Sequence, residues 1–130
     1  MLYFQHYVTG NTITHNVFVA GPQSLLVGNL TTTNSGNALD YNLYFAPAAA
    51  DGSEWQWLNV THTGFAAYRS ATGNDVHSLF ADPLFVNARP LDFPLRSGPP
   101  AIAAGDPAFP PRPGQPGLHA PARADGRGVG

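Results

Sequence analysis

Two residues in the second half of the chain are spaced for proton transfer. Asp75 and His77 lie two positions apart in the segment Thr72-Gly73-Asn74-Asp75-Val76-His77-Ser78, and positions i and i+2 of a strand share one face. An acid next to a histidine can act as a general acid–base pair. The alternative is structural: Asp75 follows a Gly-Asn turn and bonds the turn amides, while His77 and Ser78 bond locally. We favour the structural alternative and predict no catalytic residue in this chain.

The sequence gives no support for a metal site or a cofactor. Its five histidines are scattered, and none has a metal-ligand spacing such as H-E-x-x-H. The acidic residues form neither a cluster nor the repeated pattern of a calcium loop. Cysteine is absent, which excludes thiolate ligands and disulfides. We therefore predict no metal and no cofactor.

Aromatic residues offer a second kind of chemistry. Trp55 and Trp57 alternate around Gln56, as residues on one face of a strand do. With Tyr41 they could form a platform for sugar rings, because aromatic faces suit the apolar C–H faces of saccharides. The alternative, which we favour, is that both tryptophans pack the segment 46–63 onto the rest of the fold. Trp55, Trp57 and Tyr41 are nevertheless the predicted substrate-binding residues.

The composition of the chain limits the classes of protein to which it can belong. The chain has 130 residues, enough for one domain with a substantial core. Charged residues make up only 11% and the net charge is −2, so there is no basic surface for nucleic acid. No stretch approaches the roughly 18 apolar residues of a membrane span.

Two segments repeat the same pattern, and they are the elements that would position these residues. "NTITHNVFVA" (11–20) and "NALDYNLYFA" (37–46) are 26 positions apart, so that Asn16 corresponds to Asn42. Short β-rich runs separated by single asparagines favour bends rather than hairpins, because asparagine tolerates left-handed φ. A period of this length is typical of solenoids. We therefore predict an all-β, right-handed parallel β-helix in which the asparagine amides of neighbouring coils hydrogen-bond.

The expected organisation has four parts. Residues 1–45 form about two coils, 46–63 an excursion loop, 64–108 a C-terminal cap and 109–130 a Pro/Gly-rich flexible tail. In the cap, Thr63 is predicted to cap a helix over 64–71 that ends at Gly73, with Phe65 and Tyr68 facing inward. Two short strands are expected on either side of Asp82-Pro83. The strands predicted before the excursion lie near 2–8, 12–15, 17–19, 25–31, 38–41 and 43–45.

The second half of the chain resembles the C-terminal end of secreted right-handed parallel β-helix proteins of the pectate-lyase-like superfamily. The resemblance covers residues 8 to about 108. It rests on the segment 72–78, followed by Asp82-Pro83-Leu84-Phe85, Asp92-Phe93-Pro94-Leu95 and the turn 98–105. That turn departs from the pattern, since Pro99 stands where serine is usual and Ala103 where aspartate is common.

The resemblance implies a C-terminal fragment of an extracellular or cell-surface protein that acts on polysaccharide as a lyase or glycoside hydrolase. The fragment itself would be mainly structural and would stack on upstream coils of its parent chain. No complete active site is expected, and no lysine exists to serve as the base of a β-elimination. The alternative function is a non-catalytic glycan-binding or adhesin-type surface protein. A different fold, a small antiparallel β-sandwich, would follow if the 26-residue offset were chance.

Overall fold

The computed structural model describes residues 1–22, 24–85 and 105–108. This part of the chain contains short strands, a four-residue helix and an eight-residue helix. In chain order they are β1 (Leu2–Phe4), β2 (Thr12–Thr14), β3 (Val17–Val19), β4 (Leu25–Asn29), β5 (Ala38–Asp40), β6 (Leu43–Phe45), α1 (Ala49–Gly52), β7 (Glu54–Trp57), β8 (Val60–Thr63), α2 (Phe65–Thr72) and β9 (Leu79–Phe80). All six strands predicted before the excursion are present, at equal or shorter bounds.

The 26-residue repeat sets the register of two strand pairs. β2 pairs with β5 and β3 with β6, both parallel, so that Thr12 lies opposite Ala38 and Val17 opposite Leu43. Asparagine side chains join the same segments. The Asn16 amide Nδ2 lies 3.3 Å from Oδ1 of Asn42, and the same oxygen accepts from the backbone N–H of Asn16 at 3.0 Å. The predicted hydrogen bond between these two amides is therefore confirmed.

The predicted fold class is wrong. The described strands do not form an all-β solenoid but fall into three separate small sheets, with strand orders β1-β4-β7-β8, β2-β5 and β3-β6-β9. The first sheet is mixed, because β7 and β8 are antiparallel. Two helices interrupt the strands where one was expected. An antiparallel sandwich does not fit the described strands either, since five of their six pairings are parallel.

The hairpin explains why the prediction failed. Leu58 and Asn59 join β7 to β8 and both have positive φ, 48° and 68°. Two consecutive residues of that kind make a hairpin turn that matches the strand twist. Their sequence lacks the Asn-Gly signal, so the excursion gave no indication of an antiparallel pair. The repeat itself occurs only twice and could not fix the rest of the architecture.

Aromatic side chains make up half of the buried core of residues 1–81. Trp55 on β7 is completely buried, and its ring stacks on Tyr68 at 5.4 Å and on Phe65 at 5.3 Å. Tyr44 meets Trp55 edge-on at 5.8 Å. Burial of each large apolar side chain stabilises the fold by about 1.5–3 kcal/mol. The buried residues of this core are Phe4, Ala20, Leu26, Val27, Leu39, Tyr44, Ala46, Trp55, Phe65 and Tyr68.

Helix α2 spans Phe65–Thr72, one residue further toward the C-terminus than the predicted 64–71. Phe65 and Tyr68 are buried, as their spacing predicted, and Gly73 ends the helix in the left-handed conformation with φ 71°. The predicted cap is wrong, because Thr63 belongs to β8 and Gly64 occupies the capping position without a side-chain hydrogen bond. Gly64 has φ 95°, a value that side-chain-bearing residues rarely adopt.

The chain divides into two compact units, Met1–Ala81 and Asp82–Gly130. β9 precedes Asp82-Pro83 as predicted. The residues expected to form the strand after this bend lie partly outside the described ranges. The motif Asp92–Leu95, most of the turn 98–105 and the tail 109–130 also lie outside them.

Candidate functional site: a column of stacked rings

Three rings from distant parts of the sequence stack in a row. The imidazole of His15 and the phenol ring of Tyr41 have centroids 6.0 Å apart and planes 7° apart. The imidazole of His77 stacks on Tyr41 at 4.7 Å, again with planes 7° apart. We call His15, Tyr41 and His77 the ring column. Such offset stacking contributes about 0.5–1.5 kcal/mol per aromatic pair beyond the area that it buries.

Each ring of the column is followed in sequence by a polar residue, and these three polar residues are joined by hydrogen bonds. His15 and Tyr41 have left-handed φ values of 62° and 52°. Asn16 and Asn42 follow them. The N–H of Asn16 donates to Oδ1 of Asn42 at 3.0 Å, and the N–H of Asn42 donates to Oγ of Ser78 at 2.8 Å. Because Ser78 continues the series of Asn16 and Asn42, His77 continues the series of His15 and Tyr41.

An aspartate holds the last ring of the column. Oδ2 of Asp40 lies 2.7 Å from Nδ1 of His77, and Oδ1 accepts the backbone N–H of His77 at 2.7 Å and of Tyr41 at 2.9 Å. Partial burial raises the pKa of Asp40, but the hydrogen bonds from the His77 ring and from the two backbone amides outweigh it. The net pKa of Asp40 lies below its usual value. Asp40 is therefore ionised near neutral pH.

His15 is held differently. Its Nδ1 lies 2.9 Å from Oγ1 of Thr14, a hydroxyl that can donate or accept. The two histidines at the ends of the column therefore meet different partners, a carboxylate for His77 and a hydroxyl for His15.

A second aspartate lies inside the fold and anchors the same segment. Asp75 has no exposed surface. Its Oδ2 accepts from the hydroxyls of Tyr44 at 3.0 Å and Tyr68 at 2.9 Å. Its Oδ1 accepts from Oγ of Ser78 at 2.6 Å and Nδ2 of Asn42 at 3.3 Å. We call Asp75 with these four donors the buried carboxylate cluster.

Burial dominates the ionisation of this cluster. Burial raises the pKa of Asp75 above its usual value, although the hydrogen bonds from Ser78, Asn42, Tyr68 and Tyr44 partly oppose it. Burial, with the nearby charge of Asp75, also raises the pKa of both phenols, so Tyr44 and Tyr68 remain hydroxyl donors. A buried carboxylate with every lone pair engaged is a structural anchor rather than a reactive group.

Asp75 and His77 therefore do not form an acid–base pair. Asp75 points into the core. The His77 side chain is 57% exposed, and it bonds Asp40 instead. The turn between them explains the separation, because Asp75 has φ 57° rather than a strand value. The structural alternative describes Asp75, although its carboxylate bonds side chains rather than turn amides.

The three predicted substrate-binding residues are not brought together. Trp55 is fully buried, so its ring is not available to a ligand. Trp57 is partly buried and packs edge-on against Phe4 at 5.6 Å. Only Tyr41 belongs to the ring column. Both tryptophans thus pack the excursion onto the fold, which was the favoured alternative.

Sequence reasoning missed His15, His77 and Asp40 as a group. A usable signal existed, because an aromatic or histidine residue precedes the polar residue in His15-Asn16, Tyr41-Asn42 and His77-Ser78. The first two follow the 26-residue repeat, but the third is 36 residues further on. Helix α2 lies within that longer interval and hides the correspondence.

Two classes of site find no support among residues 1–22, 24–85 and 105–108. They contain no group of three or more histidine, cysteine, aspartate or glutamate residues that could hold a metal ion. Within the same residues, no helix is long and apolar enough to cross a membrane.

Comparison with known proteins finds similarity to a protein of Bacillus subtilis (strain 168) named uncharacterized protein YwoF. The two are 39% identical over 100 residues, which is 77% of this chain and 21% of the relative. The chain thus spans about a fifth of the length of that curated relative. No protein-family model matches the chain. No solved structure matches it significantly.

Proposed function

We propose that this chain is a mainly structural segment of a larger extracellular polysaccharide-active protein, and that the ring column is where the segment contacts the glycan. The observation that carries the proposal is the column itself, three rings from three separate segments with a carboxylate beside the last. A row of phenol and imidazole groups combines apolar surface with polar ring atoms, as saccharides do. A repeating row of side chains suits a repeating polymer.

The edges of the sheets support a structural role within a larger assembly. Among the described strands, β1, β2 and β3 each pair on one side only. An unpaired strand edge presents N–H and C=O groups that can pair with a further strand. The length of the Bacillus relative also favours a larger protein. Upstream strands of the same protein are the partners that we propose for these edges.

The second candidate is a glycan-binding surface protein without catalysis. It is favoured by the state of the two aspartates, because all four donors of the buried carboxylate cluster occupy Asp75. Among the described residues that line the column, Asp40 is then the carboxylate that is left. Carbohydrate hydrolysis usually requires two carboxyl groups beside the bond that is cleaved.

A glycan panel tests both candidates. The chain is incubated with uronate-containing and neutral polysaccharides, and retention is compared for wild type, Tyr41→Ala and Tyr7→Ala. Tyr7 is 79% exposed and lies outside the column, so it is the matched control. Loss of one stacking ring should weaken retention by about tenfold, or about 1.4 kcal/mol, in Tyr41→Ala only.

The outcomes separate the candidates. New reducing ends or unsaturated products indicate an enzyme, and retention without turnover indicates a binder. Absence of retention on every glycan, or equal loss in Tyr7→Ala, would contradict glycan contact at the ring column.

A further inference from the structure

Asp40 fixes the protonation pattern of the His77 ring. An ionised carboxylate only accepts hydrogen bonds, so Nδ1 of His77, 2.7 Å from Oδ2, must carry the hydrogen. The neutral ring then has its lone pair on Nε2, since the bond made by one nitrogen determines the state of the other. Nε2 has no hydrogen-bond partner among the described residues, and 57% of the side chain is exposed.

The ring is also held in place before any ligand arrives. Oδ1 of Asp40 accepts the backbone N–H of His77 at 2.7 Å, and the ring stacks on Tyr41 at 4.7 Å. The residues just before His77 are also fixed by hydrogen bonds to β5. Asp75 donates its backbone N–H to the carbonyl of Leu39 at 2.7 Å, and Asn74 Oδ1 accepts the N–H of Leu39 at 3.1 Å. A fixed ring loses little entropy when a ligand binds.

We propose that Asp40 and His77 form a general-base site, in which Nε2 of His77 accepts a proton from a hydroxyl group or a water molecule at the ring column. Asp40 is the positioning residue that fixes the tautomer and orients the ring through its contact with Nδ1. The assignment of a saccharide as the hydroxyl-bearing ligand rests on the proposed function. The basic state of Nε2 does not, because it follows from the contacts of His77 alone.

Two measurements test the site without a known substrate. Long-range ¹H–¹⁵N NMR reports which ring nitrogen carries the hydrogen, and wild type should show the Nδ1–H form of His77. Asp40→Ala should lose this preference, whereas Asp51→Ala, an exposed acid on α1, should keep it. At a pH where the ring is neutral, hydrogen on Nε2 rather than on Nδ1 in the wild-type protein would overturn the proposal.

Hydrolysis of p-nitrophenyl acetate is the second measurement. Nε2 takes a proton from water while the water oxygen bonds the acetyl carbon. The ester C–O bond then breaks, p-nitrophenolate leaves with its electron pair, and the ring returns its proton to solvent. Because general-base assistance by a positioned side chain contributes about 10²–10⁴-fold, His77→Gln should remove most of the protein-dependent rate that His6→Gln keeps. His6 is an exposed histidine outside the column.

The results distinguish this site from the glycan proposal. Equal rates for His77→Gln and His6→Gln would overturn the general-base site whatever the glycan panel shows. An intact tautomer and rate with no glycan retention would instead remove the proposed function and leave the base in place.

Discussion

Two aspartates beside the same segment have opposite surroundings. Asp40 lies at the surface, bonds the ring and N–H of His77, and has a lowered pKa. Asp75 is two residues before His77, has no exposed surface, and has a raised pKa. Both accept several hydrogen bonds, so the number of bonds does not decide the direction of the shift. The difference is burial, which penalises the charge of Asp75 far more.

The two carboxylates have different roles. The buried carboxylate cluster joins β6, α2 and the segment before β9 through its donors Tyr44, Tyr68 and Ser78. Asp40 instead orients an exposed ring that a ligand can reach. Asp75 stabilises the fold beneath the ring column, and Asp40 orients the His77 ring.

Loss of the buried carboxylate should have the largest effect. Asp75→Ala leaves four donors without their acceptor inside the core, and we expect a loss of about 3–5 kcal/mol in the free energy of unfolding. Urea denaturation followed by tryptophan fluorescence measures it, because Trp55 stacks on Tyr68. The control is Asp51→Ala, an exposed acid that should change stability by less than about 0.5 kcal/mol. Equal effects in the two variants would contradict the anchoring role of Asp75.

The asparagine pairs should give an intermediate effect that depends on position. Asn42 is buried and bonds Asn16, Asp75 and the carbonyl of Ile13. Asn42→Ala should therefore cost about 1–3 kcal/mol, the usual penalty for leaving buried groups unpaired. Asn16→Ala, at the exposed end of the pair, should cost less than about 1 kcal/mol. The order of the two unfolding midpoints checks this, and a larger loss for Asn16→Ala would contradict it.

Part of this arrangement was predictable from sequence. The 26-residue offset fixed the pairing of Asn16 with Asn42, because equivalent residues in parallel strands share a register. The hairpin at Leu58 was not predictable, since its turn depends on positive φ values that leucine rarely adopts. The position of His77 was hidden as well, because the interval of 36 residues matches no repeat. Trp55 and Trp57 have similar sequence signals, and only tertiary packing buries the first more deeply than the second.

The pH dependence of the buried site follows from its raised pKa. A group with a raised folded-state pKa binds its proton more readily when folded, so its favourable contribution is present at low pH and is lost as pH rises through the folded pKa. Relative to Asp75→Asn, which cannot titrate, wild type should gain stability as pH falls toward the usual aspartate range. The slope cannot exceed about 1.4 kcal/mol per pH unit for one proton. Denaturation series at matched pH values test the sign, and a difference that shrinks on acidification would contradict the raised pKa.

The exposed pair should give the smallest effect and the opposite sign. The lowered pKa of Asp40 means that its contribution is present above the unfolded-state pKa and is lost as pH falls through the folded-state value. Because solvent screens the interactions of a partly exposed carboxylate, Asp40→Ala should cost less than about 1 kcal/mol near neutral pH. The same variant should match wild type only once the pH has fallen below the lowered folded-state pKa of Asp40, where both carry a neutral group at this position. If the cost of Asp40→Ala instead grew on acidification, the two aspartates would titrate alike. Burial could then not explain why the pKa of Asp75 is raised and that of Asp40 lowered.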